Sequence, residues 1–373
     1  MRRASPADRV EARKRFGEAG YPDRGVDSLA DRDDRCDVTV KPIILRILGL
    51  CAILCGGVSG GPVDLVGKSG VWFRSDEGIE AVENVLSWQS DHGSWPKNLD
   101  TSAKRFTGDR SKLQGTFDNA ATTGEIRFLA KAFEETKNDR CRVAVLRGID
   151  HILNAQYANG GWPQYFPPKG YASHITFNDG SMERLLVLLR DVAESKDLRF
   201  VDAKRRAMAG HAVEKGIDCI VSCQVKVRGR RTVWCAQHDE KSLKPASARA
   251  YELATLSGSE SAGLLCFLMS IERPSRDVVR AVRDGVAWFE DSAIHDIRVV
   301  KADGDRKVVP DRGAPDVWAR FYEIETNRPI FCGRDGKKKY TLAEIERERR
   351  FGYAWYGNWG EKVAKAHANW KYR

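Results

Sequence analysis

The chain has 373 residues, a formal net charge of +10, 42% hydrophobic residues and ten tryptophans. This composition excludes an intrinsically disordered protein and predicts a well-packed core, with room for one large domain or two small ones. The positive charge is compatible with nucleic acid, an anionic surface or an acidic polymer, and by itself it does not choose among them.

An apolar segment near the N-terminus, residues 43–56 ("IILRILGLCAILCG"), is followed by the small residues "GVSGG". It is shorter than the roughly 20 residues of a membrane span and is typical of a secretory signal peptide. The charged sequence before it is unlike a signal leader, so we expect the true start near Val38 or Val40. We therefore predict an N-terminal extension with a signal peptide over residues 1–60, a folded domain over residues 61–373, and a secreted or periplasmic protein with no membrane attachment after cleavage. A short buried helix after a disordered tail is the alternative.

Three segments are similar to one another and end in glutamine: Glu80–Gln89, Arg147–Gln156 and Lys215–Gln224. Their glutamines lie 67 and 68 residues apart, which indicates an internal repeat. Each segment has apolar residues at helical spacing, and the first two continue into the motif Gln-x-x-x-Gly-x-Trp-Pro. A partial fourth copy follows at Arg283–Ser292.

A second set of predicted helices alternates with these segments, at residues 120–136, 178–195 and 257–272. Asn, Asp or Ser stands where each of these helices opens, and these residue types cap helix N-termini. The alternation predicts an all-α protein. We expect an α/α toroid of three helix-pair repeats, closed by one odd helix, with long loops that form a cleft at one rim.

The loops that follow the first two glutamines are rich in glycine and aromatic residues. Trp95, Trp162 and Tyr165 suit the flat faces of sugar rings, and Gly160 and Gly161 permit tight turns and close approach of a ligand. We therefore expect these loops to line a binding site. The alternative is that Trp95 and Trp162 serve only as core residues between neighbouring helices.

Two acidic residues stand just before two of the inner helices, Asp118 in "TFDNAATT" and Asp179 in "TFNDGSM". Two carboxylates at one rim, with the amides of Asn119 and Asn178 beside them, predict a site for a hard cation such as Ca²⁺, which takes oxygen ligands. Helix capping by each residue, or a pair of acids that hydrolyses a glycoside, are the alternatives. The spacing of the seven histidines predicts no histidine-based metal site.

Cationic residues follow in two segments that are also aromatic. Lys244, Arg249 and Arg334 lie among tyrosines and tryptophans, and an arginine can match a uronate carboxylate with two parallel hydrogen bonds. We therefore expect an acidic sugar polymer, and not nucleic acid, as the partner. The run Lys337–Lys339 is more typical of a solvated turn after Asp-Gly.

Several long motifs are similar to one known family: "NGGWPQYFP", "HITFND", "WCAQHDEKSLKPASARAYELATLSGSES" and "ARFYEIETNRPIFCGRDGKKKYTLAEIERERRFGYAWYG". They resemble the pectate lyases of polysaccharide lyase family ten, and the similarity runs from about Trp72 to Trp359. The resemblance implies an α/α toroid of three repeats, secretion, and residues 61–373 as the catalytic domain. It also implies calcium-assisted β-elimination of the α-1,4 bonds of polygalacturonate (pectate), with 4,5-unsaturated oligogalacturonides as products.

By motif position, the resemblance implies roles for four residues. Asp118 and Asp179 correspond to calcium-binding aspartates, Arg249 to the arginine that binds the substrate carboxylate, and Arg334 to the catalytic base. Because the pKa of arginine lies above about 12, such a base implies an alkaline optimum. Further contacts to the substrate are assigned to Lys97, Trp162, His174 and Tyr251.

The sequence thus predicts Ca²⁺ as the cofactor, polygalacturonate as the partner and a monomeric enzyme. A glycoside hydrolase and a non-catalytic binder of acidic polysaccharides on the same toroid are the alternative functions. Formation of unsaturated uronate products separates the lyase from both of them.

Overall fold

The computed structural model describes residues 61–194 and 198–373. The predicted signal peptide, the true start and the domain boundary at residue 60 lie outside the described residues. All described residues belong to one compact unit. Within them, no helix has both the length and the hydrophobicity that a membrane span requires.

Eleven α-helices lie in the described part of the chain. They are α1 (Pro62–Leu65), α2 (Gly70–Phe73), α3 (Asp76–Ser87), α4 (Thr123–Thr136), α5 (Asp139–Ala155), α6 (Ser181–Glu194), α7 (Ala203–Cys223), α8 (Gly258–Met269), α9 (Arg276–Asp291), α10 (Arg347–Gly352) and α11 (Trp359–Ala368).

Five of the longer helices begin at side-chain caps. The longer helices also pack in consecutive pairs. A side-chain oxygen accepts a hydrogen bond from a backbone N–H of the first turn in α3, α5, α7, α8 and α9, which satisfies one of the N–H groups that a helix start leaves unpaired. Helix α4 then packs against α5, α6 against α7, and α8 against α9. The alternation of helix pairs predicted from the sequence is therefore present.

The three glutamine motifs form the same hydrogen bonds in each copy. Every glutamine Nε2 donates to one carbonyl in its own loop and to one carbonyl of the next repeat, at Ala144, Ala212 and Ala281. The tryptophan that ends each loop donates its indole N–H to the carbonyl four residues before the glutamine; these donors are Trp95, Trp162 and Trp234. The internal repeat is thus also a structural repeat.

The prediction of an all-α protein is wrong, because the long loops contain twelve short strands in the described residues. The strands are β1 (Ile175–Thr176), β2 (Lys226–Val227), β3 (Arg230–Arg231), β4 (Gln237–His238), β5 (Leu256–Ser257), β6 (Ile297–Ala302), β7 (Asp305–Pro310), β8 (Trp318–Ala319), β9 (Phe321–Tyr322), β10 (Pro329–Cys332), β11 (Lys338–Lys339) and β12 (Tyr356–Gly357).

These strands form five small antiparallel sheets. Four sheets have two strands each (β1 with β4, β2 with β3, β6 with β7, β8 with β12), and the fifth has four strands in the order β11, β10, β9, β5. Most of the strands are only two residues long, so they leave no alternating pattern in the sequence. The fold is therefore mixed, and the toroid assignment falls with the all-α prediction.

Two hydrophobic cores support the loops. The larger core lies between the helices and includes the three repeat tryptophans. The smaller core lies between the four-stranded sheet and the segment around α10, and it contains Tyr251, Phe321, Phe331 and Trp355. This second core places the segments that carry Arg249 and Arg334 beside each other, since the Cys332 thiol contacts the backbone carbonyl of Ala250 at 3.5 Å.

Candidate active site

Two short 3-10 turns precede α4 and α6 and lie in contact with each other, as the repeat predicts. The first turn is Asp118–Ala120 and the second is Asn178–Gly180. Each follows Thr-Phe, and both phenylalanines are buried in the larger core. The middle residues, Asn119 and Asp179, have φ angles of 51° and 50°, in the left-handed region that Asn and Asp tolerate better than most residues.

Asp118 is buried, with 2% of its surface exposed. Its Oδ2 atom accepts hydrogen bonds from Lys97 Nζ and, at 2.9 Å, from Gln164 Nε2. Its Oδ1 atom is buried and has no hydrogen-bond partner. A buried carboxylate oxygen without a partner is costly, so the second oxygen of Asp118 is open to a ligand that satisfies it.

The carboxylate of Asp179 is held by a buried arginine, Arg320. Arg320 Nη2 donates to Asp179 Oδ1 at 2.9 Å and also to Glu260 Oε1, while Asn178 Nδ2 donates to Asp179 Oδ2 at 2.7 Å. Burial alone would raise the pKa of Asp179, but the charge and hydrogen bond of Arg320 outweigh it, so that the pKa is lowered. Asp179 is therefore a carboxylate at neutral pH.

The oxygen atoms of the two turns fit a hard cation better than a soft one. The candidates are the unpartnered Asp118 oxygen and the carboxylate of Asp179, which is 35% exposed. Carboxylate oxygens are ligands that Ca²⁺ prefers. Asp118 and Asp179 are thus the residues that could hold such an ion.

A second group of potential metal ligands was not predicted from the sequence. His174, Asp239 and Glu240 place their ligand atoms within 4.8 Å of one another, and His174 Nδ1 lies 3.4 Å from Glu240 Oε2. The histidine and the two acids are separated by more than 60 residues, so spacing arguments missed them. This group could hold a metal ion, which the spacing of the histidines does not indicate.

The two predicted arginines differ in their surroundings. Arg249 donates to buried Glu252, at 3.0 Å from Nε to Oε2, and its guanidinium lies 4.9 Å from the ring centre of Tyr251. Its charge also contributes to the lowered pKa of Asp179. Arg334 lies on the turn between β10 and β11, where its side chain is 64% exposed and pairs with Glu348 at 3.0 Å. Arg249 is therefore the one of the two whose charge acts on Asp179.

The four predicted substrate contacts fall into two groups. The first group lies beside charged residues: Lys97 contacts Asp118, and His174 contacts Glu240. The ring of Tyr251 lies against the guanidinium groups of Arg249 and Arg349. Trp162 is different, because it is 1% exposed and donates its indole N–H to the Ile152 carbonyl at 2.8 Å. The prediction that Trp162 offers a ring face to a sugar is contradicted by this burial, and the alternative of a core residue is correct.

Sequence reasoning also missed the residues that hold the acids. No regular spacing in the sequence indicates their role. Some of them lie far in the sequence from the group that they contact, and the others belong to motifs that were interpreted differently. These residues are Arg320, Glu260, Glu252 and Gln164. Arg320 stands in "WARFYE", between β8 and β9. Its guanidinium also lies 4.6 Å from the ring centre of Tyr353.

The chain is similar to a known enzyme family and to solved structures. A family model described as pectic acid lyase matches residues 89–364. Two solved structures, a family 10 polysaccharide lyase from Cellvibrio cellulosa and a mutant of it in complex with trigalacturonic acid, are each 36% identical to this chain with a TM-score of 0.74. They cover 83% of this chain, and the match spans 95% and 96% of the two structures respectively. No protein in the curated set matches.

The chain is an enzyme of the polysaccharide lyase class. More particularly, it belongs to the pectic acid lyase family.

Proposed function

We propose that the protein cleaves polygalacturonate by β-elimination at the two turns, with Ca²⁺ as its cofactor. The observation that carries the proposal is the buried, unpartnered oxygen of Asp118 in a turn that contacts the Asp179 turn. The related lyase that was solved with trigalacturonic acid supports the same substrate class.

In this reaction a base takes the C5 proton of a uronate, the C4–O bond breaks, and a C4=C5 double bond forms. The leaving oxygen then receives a proton. The C5 proton is acidic only when negative charge on the adjacent carboxylate is stabilised. Bound Ca²⁺ would supply part of that stabilisation. Lys97, which pairs with Asp118, and Arg249, whose charge lowers the pKa of Asp179, can orient the carboxylate.

Arg334 and Arg249 divide the roles of base and carboxylate ligand. The motif assigns the base to Arg334. The pairing of Arg249 with Glu252 outweighs the effect of burial and raises the pKa of Arg249. A charged Arg249 is therefore favoured, and it would bind the substrate carboxylate. Proximity favours the reverse, because the charge of Arg249 reaches Asp179 while Arg334 is largely exposed. Under either assignment an arginine acts as a base, so we expect an alkaline optimum.

Replacement of each arginine by alanine separates the two assignments. The base variant should lose turnover by orders of magnitude with little change in KM, whereas the carboxylate-binding variant should lose both. The measurement is the ultraviolet absorbance of unsaturated uronate on polygalacturonate. If Arg334→Ala keeps most of its turnover at saturating substrate and Arg249→Ala does not, the base is Arg249.

Chelation tests the cofactor. Excess EDTA should abolish formation of the unsaturated product, and added Ca²⁺ should restore it. Full activity in excess chelator would remove the metal role from Asp118 and Asp179. Reducing sugar released without unsaturated product would instead identify a glycoside hydrolase.

Export and a monomeric state complete the proposal. The apolar segment before residue 57 supports export, so protein recovered outside the cytoplasm should begin after "CGGVSGG". Cytosolic protein with an intact N-terminus from Met1 would contradict export. Light scattering that gives twice the chain mass would contradict a monomer.

A further inference from the structure

The third repeat differs from the first two in the loop between its glutamine and tryptophan. Ten residue positions separate Gln224 from Trp234, against six in each of the other copies. The extra residues form the β2–β3 hairpin, whose tip, Arg228-Gly229, has φ angles of 49° and 81°. Two positive φ angles are typical of a type I′ turn, which matches the twist of a hairpin. The repeat hydrogen bonds of Gln224 and Trp234 are kept, so the insertion adds surface without altering the framework.

What the insertion adds is positive charge. Between their glutamine and tryptophan, the first two loops ("SDHGS" and "YANGG") contain no Lys or Arg, whereas the third contains Lys226, Arg228, Arg230 and Arg231. Arg280 of α9 faces the hairpin, and together with Lys226, Arg230 and Arg231 it lines a cleft of about 370 Å³ in which Asp284 is the acidic lining residue.

The cations of this cleft are arranged at a cost in stability. Lys226 and Arg231 are direct cross-strand partners, and like charges opposite each other destabilise a two-stranded ribbon. Within the described residues, none of the lining cations forms an ion pair, and the buried Nε of Arg231 has no hydrogen-bond partner. Like charges that face each other without an ion pair in the protein indicate a functional surface. An anionic ligand would stabilise this one.

We propose that the cleft between the β2–β3 hairpin and α9 is an accessory site that binds the carboxylates of an acidic polysaccharide. The inference rests on the proposed function for the class of ligand, since the substrate carries one carboxylate on each sugar. Arginine forks match carboxylates with two hydrogen bonds. The hairpin has no aromatic side chain between Val225 and Val233, so it lacks the stacking surfaces with which proteins bind single-stranded nucleic acid.

The test compares two double variants that remove the same charge. Lys226→Ser with Arg230→Ser changes two exposed residues of the hairpin, and Arg199→Ser with Lys204→Ser changes one exposed arginine and one exposed lysine near the opposite end of α7. Neither variant should lower the thermal unfolding midpoint of the full chain, and the hairpin variant, which removes the repulsion between Lys226 and Arg231, should raise it slightly. Binding is measured by retardation in gels that contain polygalacturonate, with chelator present, so that no turnover is required.

We expect the hairpin variant to bind polygalacturonate roughly 3- to 10-fold more weakly, with a weaker dependence on salt, and the control variant to bind as the unmodified chain does. Fully methyl-esterified pectin, which has lost its carboxylates, should bind both variants equally. Equal retardation of the two variants by polygalacturonate would overturn the inference. So would a loss confined to single-stranded DNA, which would make the hairpin a nucleic-acid surface. Because the assay needs no catalysis, failure to form unsaturated product would refute the proposed function and not this site.

Discussion

The two turns of the candidate site share one backbone and carry their acid and amide in opposite order. Residues 116–120 ("TFDNA") and residues 176–180 ("TFNDG") each form a 3-10 turn after Thr-Phe, with positive φ at the fourth and fifth positions of both. The first turn therefore has Asp then Asn, and the second has Asn then Asp. Equivalent positions in the repeat do not carry equivalent chemistry.

The order decides where each carboxylate lies. The third position is buried in both turns, 2% exposed at Asp118 and at Asn178. The fourth position is more accessible, since the Asp179 side chain is 35% exposed. The site thus combines a buried carboxylate, held by Lys97 and Gln164, with a partly exposed one, held by Arg320.

Each turn has a cationic side chain that holds its carboxylate, Lys97 in the first turn and Arg320 in the second. Replacement of these two side chains should lower the stability by unequal amounts. Arg320→Met leaves two carboxylates, Glu260 and Asp179, without their buried partner, so we expect a loss of about 3–5 kcal/mol in the free energy of unfolding. Lys97→Met leaves only Asp118, which keeps the amide of Gln164, and should cost about 1–3 kcal/mol.

Urea unfolding at neutral pH measures both values. The matched variant Arg328→Met changes an exposed arginine that stacks on Tyr340, and it should cost less than about 1 kcal/mol. An Arg320→Met protein as stable as the Arg328→Met protein would contradict the role assigned to the buried arginine.

Exchange of acid and amide within a turn tests the order directly. Asp118→Asn with Asn119→Asp gives the first turn the order of the second at unchanged composition and net charge. The carboxylate then leaves its buried position, so we expect turnover on polygalacturonate to fall by about 100-fold or more. The mirror exchange, Asn178→Asp with Asp179→Asn, should have a similar effect because it moves the partly exposed carboxylate of Asp179 into the buried third position.

The measurement is the initial rate of unsaturated product at saturating substrate, with the thermal unfolding midpoint as the check on folding. Near-normal turnover in both exchanged proteins would mean that the order of the two residues is irrelevant to the reaction.

Sequence reasoning reached the framework of this comparison but not its details. The glutamine repeat was readable because its helical periodicity and fixed spacing reflect local hydrogen bonds that recur in each copy. The order of Asp and Asn was visible too, but which position points inward depends on a left-handed backbone at Asn119 and Asp179 that no periodicity reveals. Arg320 was missed because its partners are 60 and 141 residues away. The strands were missed because a two-residue ladder leaves no pattern.

A buried glutamate follows each turn, and burial raises the pKa of both. Burial raises the pKa of Glu125 to about 7 from 4.5, and it also raises the pKa of Glu183, where Lys362 and Arg184 oppose the shift. A carboxyl with a raised folded-state pKa binds more protons in the native state, so its contribution to stability is present below about pH 4.5 and is lost as the pH rises toward about 7.

Glu125→Gln should therefore remove a loss of stability that the unmodified chain suffers between about pH 5 and pH 8, and Glu183→Gln should remove a loss of the same sign. Urea unfolding at the two pH values measures the difference. An unchanged pH dependence in Glu125→Gln would show that this carboxyl does not hold its proton in the folded state.

The smallest effect concerns the fifth position of each turn, where the first has Ala120 and the second has Gly180. Both adopt positive φ, 63° and 69°, and a Cβ atom in the left-handed region costs about 1–2 kcal/mol that glycine does not incur. Ala120→Gly should relieve this strain, although the greater freedom of glycine in the unfolded chain offsets part of the gain. We expect a net stabilisation of about 0.5–1 kcal/mol. Gly180→Ala should destabilise by about the same amount, and for reasons of strain alone, because its nearest neighbour would be Arg184 Nη1 at an ordinary 3.4 Å.

Thermal and urea unfolding of the two single variants and of the double variant measure the exchange. In the double variant the two effects should nearly cancel, because each turn then carries the residue of the other on the same backbone. Destabilisation by Ala120→Gly would mean that the two turns do not share the backbone conformation from which the comparison starts.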